Sequence, residues 1–410
     1  MAATTTVSQE SAQQSPGNPP GHAQGPGAVP EQSRGDRVAS YDVAAFGVPT
    51  GREEEWRFTP LDRLGGLLAG PASGGHLAWA TELPAGATVT EYGPDDPARF
   101  AGPAPADRLA ALAVANSTDG AAVVRIPAGA EPDGPVVVKL TGTGGVVWGH
   151  VVLEVGAHAK ATVVLEHTGS AVYSAATSVL VGDGAQLTLV SIQDWDSGAV
   201  HAGHVAIRVG RDASVRSTQV TLGGDLVRIV ETVEYAGPGG NAELAGIYVA
   251  DAGQHLEHRL FVDHAVPHCR SNAVHKGALQ GDGAHTVWVG DVLIRAAAEG
   301  TDTYELNRNL VLTDGARADS VPNLEIETGE IVGAGHASAT GRFDDEQLFY
   351  LQARGIPEDE ARRLVVRGFF GELIAQIGVP EVEARLTAAI DAELAQTMGA
   401  AFLGAEEVLA

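Results

Sequence analysis

Six histidines, His255, His258, His264, His268, His275 and His285, surround the chain's single cysteine, Cys269. Imidazole and thiolate bind borderline and soft metals, including the iron of clusters. A lone thiol makes no internal disulfide, closes no structural zinc site and holds no cluster by thiolates alone. The spacing does not make a local site either, because residues of opposite parity in a strand, such as His255 and His258, point to opposite faces. Only the stacking of adjacent strands could gather these rings, and ordinary surface or corner histidines are the plain alternative. His336 has a different context, IVGAGHASATGRFDDEQ, where Gly333 and Gly335 let the backbone approach closely on its N-terminal side. It is read as standing after the last strand and before the first C-terminal helix.

Other chemistry is missing from the text. There is no GK dipeptide, hence no Walker A phosphate loop, and neither a GxSxG elbow nor an HExxH zinc helix occurs. GxG fragments at Gly142 and Gly281 lie in strand–turn text and read as corners.

The elements that must position these residues are mostly strands. Between roughly 75 and 335 the text runs strand, turn, strand, with a loose repeat: VGAHAKATVVLEH from Val155, VGDGAQLTLVSIQ from Val181 and VGRDASVRSTQV from Val209. Each has a turn glycine (Gly156, Gly182, Gly210), a small residue three positions later, then β-branched residues. A period of this size with turn residues at one phase predicts a stacked solenoid. A β-sandwich is the rival, since alternation alone does not distinguish the two. For a parallel solenoid, right-handed coiling is expected on chirality grounds.

The flanks differ. Residues 1–38 are rich in Pro, Gln, Gly and Ser and read as a disordered tail. Over 39–74, Glu53 to Glu55 suit a first helical turn, with Trp56 and Phe58 as anchors, so a helical region capping one end of the solenoid is expected. Residues 336–410 read as a helical domain. Asp344 is its N-cap with Gln347 completing a capping box, and Gly355 and Pro357 separate the first two helices. In the second, Ala361, Leu364, Val365, Gly368 and Phe369 share a face; in the third, from Pro380, Leu386, Ile390 and Leu394 form the stripe.

Composition narrows the partners. With 26 Lys and Arg against 52 Asp and Glu, the formal charge of −26 disfavours nucleic acid and anionic membrane. The opening MAATTTVSQE lacks a secretion-signal pattern and no apolar run approaches a bilayer span, so a soluble cytoplasmic protein is expected.

GRFDDEQLFYLQARGI followed by DEARRLVVRGFFGELI resembles the C-terminal signature of the SufB/SufD family. GREEEWRFTPL resembles its N-terminal segment, and RSNAVHKGAL, NRNLVL and PNLEIE resemble its late β-helix text. The resemblance implies a right-handed parallel β-helix flanked by N- and C-terminal helical regions. It further implies a non-catalytic scaffold subunit for iron–sulfur cluster assembly that pairs with a paralogue and docks the ATPase SufC through its C-terminal helices. Sulfur would come indirectly, from a cysteine desulfurase system. The absence of a thiol at Asn307, Arg308 and Asn309 favours the SufD type, with SufB as partner and a homodimer as the alternative when SufB is absent. By the same resemblance, His336 matches a functional histidine that meets iron or a transient cluster at the SufB–SufD interface. Cys269 matches a SufD cysteine position, whereas Ala334 stands where other members carry an accessory cysteine. No nucleotide is expected on this chain, and a role for reduced flavin is left open. Phe349, Tyr350, Phe369 and Phe370 are the docking aromatics. The rival classes are a β-helix carbohydrate-active enzyme, recruiting Asp263, Asp282 and Asp291, and a structural adaptor without metal chemistry.

Overall fold

Gly156, Gly182 and Gly210 stack on one another's corners. A Cβ built on Gly182 would meet the backbone nitrogen of Ala157 at 2.7 Å, and one on Gly156 would meet that of Ala128 at 2.4 Å. Only glycine tolerates so close an approach of one coil's backbone to the next. The third residue of each corner is left-handed: His158, Gly184 and Asp212 have φ of 58°, 65° and 53°. The fourth, Ala159, Ala185 or Ala213, is buried inside the coil. The small residue of the sequence repeat is therefore an inward corner residue.

The computed structural model describes residues 35, 37–71, 74–342 and 345–406. Most of the expected tail, and the Asp344–Gln347 capping box, lie outside the described residues or side chains. Two strands, β1 (Leu77–Glu82) and β2 (Thr88–Tyr92), precede helix α1 (Arg108–Asn116). Then come β3 (Ala121–Ile126) and two long strands, β4 (Val136–Val155) and β5 (Lys160–Val181). Each long strand contributes to both sheets. Beyond them each coil is a pair: β6 (Gln186–Trp195) and β7 (Val200–Val209), β8 (Ser214–Thr221) and β9 (Leu226–Tyr235), β10 (Asn241–Ala250) and β11 (His255–His264). Next come β12 (Arg270–Leu279) with β13 (His285–Ile294), β14 (Asp302–Val311) with β15 (Arg317–Ile326), and the unpaired half-coil β16 (Gly333–Arg342). Beyond β5, which pairs with both β6 and β7, even strands pair in parallel with even and odd with odd, giving a parallel β-solenoid of about eight turns, while β1 and β2 pair antiparallel with β4 and β3.

The interior divides lengthwise. Beside the corners that follow odd strands it is aliphatic, with Leu187, Leu189, Ile207, Val215, Leu244, Val262 and Ile294. Beside the other corners it carries Gln193, His201, Gln219, Glu231, Tyr248, His258 and His275, all buried.

Both outer faces are covered. Helices α2 (Asp345–Ala353), α3 (Glu358–Ala375) and α4 (Pro380–Glu406) follow the solenoid. Val366, Phe370, Leu373 and Ile374 of α3, with Leu386, Ile390 and Leu394 of α4, pack on Val190, Ile192, Val220 and Ile247 of the even sheet. The α4 stripe is as expected, whereas the α3 stripe is rotated and leaves Leu364 exposed, because Val366 and Phe370 take the seat on the sheet. The odd sheet is covered by the N-terminal segment and α1: Trp56, Leu64, Leu67, Leu109 and Leu112 pack on Val200, Ala202 and Leu226.

This N-terminal segment departs from expectation twice. It contains short 3₁₀ turns (Val43–Ala45, Leu61–Arg63, Leu67–Ala69) rather than an α-helix. The Glu53 carboxylate bends back to accept from the Thr50 and Gly51 amides, at 2.9 and 3.0 Å, so the acidic run closes a loop instead of opening a helix. It also straps a face of the solenoid rather than capping an end. The strap is held by buried charge. Arg228 lies over the Trp56 ring at 4.1 Å and pairs with Asp107 at 2.6 Å, and Thr59 donates to Glu257 at 2.8 Å. Among the described residues, no helix is long and apolar enough to cross a membrane.

Candidate functional site

His336 lies within the last strand, not after it. The strand text GAGHASATGR carries too few large residues to read as β, yet it pairs with β14 over its whole length. The solenoid therefore ends at Arg342 rather than at residue 335. Parity puts Ala334, His336, Ser338 and Thr340 on the inward row. Among the described residues no coil lies above them, so His336 is exposed at an open mouth of the solenoid.

Directly beneath His336 in the ladder is Glu305. It is 1% exposed, and neither carboxylate oxygen has a hydrogen-bond partner among the described residues. Burial, helped by the charge of Asp291, pushes its carboxyl up to about 8. Beside it, Asn307 donates to the Tyr248 hydroxyl at 2.7 Å, Tyr248 donates to Asn309 Oδ1 at 3.0 Å, and Asn309 donates to Asn307 Oδ1 at 2.7 Å. This closed amide–phenol network forms a rigid floor for the mouth. Arg308, of opposite parity, faces out. Sequence reasoning noted Asn307 and Asn309 only for their lack of sulfur and missed Glu305. Its one sequence signal is the inward phase that it shares with Asn307.

The mouth has an open rim as well. Among the described residues β16 pairs only with β14 and β15 only with β13, leaving two ten-residue edges without a strand partner. Tyr304, Ile326 and Val332 are exposed apolar side chains near them. Long, unprotected edges of this kind are templates for strand addition.

The remaining candidates do not converge on His336. Cys269 is fully buried, its thiol pushed up by burial, and it sits two rungs below at a corner, in the place that Ala159 and Ala185 take in earlier coils. Its Sγ contacts the Gly237 and Pro267 carbonyls at 3.6 Å. The histidine group is split by parity as expected. His258, His264 and His275 face inward, with His258 near Thr221 Oγ1 at 2.9 Å and His264 near Ser271 Oγ at 2.9 Å. Burial lowers His258 and His264 to about 4, so both are neutral. His255 and His285 face outward and meet edge to face, and His268 is a left-handed corner residue. Asp263 pairs with Arg295 and Asp291 with Arg37, while Asp282 sits at a corner, so the three form no catalytic groove.

The four aromatics also separate. Phe349 and Tyr350, on α2, are 72% and 56% exposed. Phe369 is half-buried over the Lys276 ammonium, 5.4 Å from the ring centre. Phe370 is fully buried against the even sheet and is unavailable to a partner, which corrects its assignment as a docking residue.

Among the described residues no three His, Cys, Asp or Glu side chains form a group that could hold a metal ion. Comparison with known proteins gives the family. Residues 138–369 match the family described as SUF system FeS cluster assembly, SufBD core domain. An iron–sulfur cluster assembly SufBD family protein of Mycobacterium tuberculosis is 56% identical over 372 residues, 88% of this chain and 93% of that protein. A SufBD family protein of Mycobacterium leprae is 53% identical over 374 residues, 89% of this chain and 95% of the relative. The iron–sulfur cluster assembly protein SufD of Bacillus subtilis is 25% identical over 282 residues, 67% of this chain and 64% of its own length. A β-solenoid with an open, histidine-bearing end thus carries a sequence of one known lineage, and the chain belongs to the SufBD family of SUF-system iron–sulfur cluster assembly proteins.

Proposed function

We propose that this chain is the SufD-type half of a cluster-assembly scaffold that works as a heterodimer with a SufB-type paralogue. The observation that carries the reading is His336 at an unfinished end of the solenoid. It is an exposed imidazole on the inward row, with unpaired strand edges beside it and too few ligands of its own. Adding a partner's strands to β15 and β16 would satisfy those edges and bring the partner's ligands to the mouth. Iron, or a nascent cluster, is then cargo held mainly by the partner's thiolates, with His336 supplying one imidazole ligand. Cys269, buried at its corner, takes no part in this account.

The α2 aromatics Phe349 and Tyr350 are the dock for a SufC-type ATPase. Large exposed aromatics on a helix that packs against α3, itself anchored to the scaffold by Phe370, suit an interface through which force is transmitted. Sulfur from a cysteine desulfurase system would reach the partner, not this chain. Co-expression with SufB-type and SufC-type chains tests the reading. A stable three-component complex is expected, and recovery of this chain alone in the presence of both would overturn it.

A further inference from the structure

The mouth does not account for His255 and His285. They open β11 and β13 and are register partners on the outer face of the odd sheet, beside the N-terminal strap. Each Nε2 is held by a carboxylate: His255 by Glu257 at 3.2 Å, His285 by Asp319 at 2.7 Å. Both carboxylates are ion-paired, Glu257 with Arg259 at 2.9 Å and Asp319 with Arg317 at 2.8 Å, so they act as acceptors. An acceptor at Nε2 fixes the proton there, and a neutral imidazole then presents a bare lone pair at Nδ1. The two Nδ1 atoms face each other at 3.2 Å. Two lone pairs at that separation need something positive between them.

The ring centroids are 4.9 Å apart with planes at 71°, closer than a straight Nδ1–H···Nδ1 bond would hold them. The rings are bent off the line that joins the two nitrogens. An ion about 2.0–2.1 Å from each Nδ1 would see the pair at a cis angle of about 100°, suited to a tetrahedral site. The surrounding guanidiniums do not oppose a cation, because Arg228, Arg259 and Arg317 are each matched by Asp107, Glu257 or Asp319. Access is from the His285 side, where His285 and Asp319 side chains are 23% and 21% exposed.

We propose that His255 and His285 chelate one divalent transition-metal ion through their Nδ1 atoms, at a site separate from His336. Glu257 and Asp319 are positioning residues, each fixing the tautomer and ring direction of a ligand, as in carboxylate–histidine–metal arrangements. Water completes the coordination from the open side. The ion would clip two successive coils together and, through the Glu257–Thr59 hydrogen bond, fasten the N-terminal strap to them. Of the divalent metals, those that favour imidazole, zinc and its spectroscopic surrogate cobalt among them, fit the donor set.

The test is cobalt(II) titration of the full chain carrying His336→Ala, which removes the other candidate ligand. One equivalent with visible ligand-field bands is expected, together with a rise in Tm, since the ion binds only the folded chain. Adding His285→Ala should abolish that equivalent and the Tm rise. Asp319→Asn, a milder change at the surface, should weaken binding about 10- to 100-fold. No uptake by the His336→Ala chain, or affinity unchanged by Asp319→Asn and His285→Ala, would overturn the proposal while leaving the role of His336 untouched.

Discussion

Glu305 lies one rung beneath His336 on the same inward row, a carboxyl sealed from water under an imidazole open to it. The pair makes the mouth sensitive to pH in the isolated chain. A carboxyl raised from 4.5 to about 8 binds its proton more tightly in the fold than in the unfolded chain. Its stabilising effect is fully present below the unfolded value and is lost as pH rises through about 8. At about 1.4 kcal/mol per pH unit, the effect is bounded by about 5 kcal/mol. Glu305→Gln should therefore flatten the fall in stability between pH 5 and 9, measured by urea denaturation of the isolated chain. An unchanged pH profile would show that Glu305 finds a partner or water.

The charged strap makes the opposite prediction at acid pH. Burial alone would raise Glu257, but His255, Arg228 and Arg259 outweigh it and hold the carboxyl well below its ordinary range. A lowered carboxyl stabilises above its unfolded value and loses that contribution as pH falls. Arg228→Ala leaves Asp107 and Glu257 buried without that partner and should cost about 3–5 kcal/mol at pH 7. The penalty should shrink toward pH 3, as the carboxylates are neutralised.

The corner glycines should be intolerant of even a methyl group. Gly182→Ala forces a Cβ against the Ala157 backbone and should cost about 1–3 kcal/mol. The same change at Gly368, where an added Cβ meets nothing within 4 Å, should be neutral or stabilising in calorimetry.

The aromatics divide into two experimental classes. Phe370→Ala removes a fully buried ring and should destabilise the C-terminal helices by about 3–5 kcal/mol. Tyr350→Ala should change stability by less than about 0.5 kcal/mol. Combined with Phe349→Ala, it should nonetheless weaken binding of the ATPase partner at least tenfold in titration calorimetry. Equal affinity for wild type and the double variant would remove α2 from the interface.

Much of the solenoid was legible because its corners are chemically demanding. The Gly–x–x–Ala phase at 156, 182 and 210 is a direct imprint of coil-on-coil contact, and the α4 stripe is an ordinary helical periodicity. The N-terminal strap was misread because acidic residues near a helix-sized segment also suit a loop, and only Glu53's return to Thr50 decides between them. His336 looked like a linker residue because Gly333–Arg342 owes its strand state to pairing with β14 rather than to its own propensity. The environment of Glu305 could not be read locally, since the group is defined by a strand thirty-one residues later in the chain.

His336 is proposed to serve cluster assembly from a junction shared with the partner. The most direct measurement is the iron and acid-labile sulfide content of the purified complex of this chain with its SufB-type and SufC-type partners, with and without His336→Ala. An intact complex whose cluster content falls severalfold is expected of the His336→Ala chain. An intact complex with unchanged iron and sulfide would contradict the proposal.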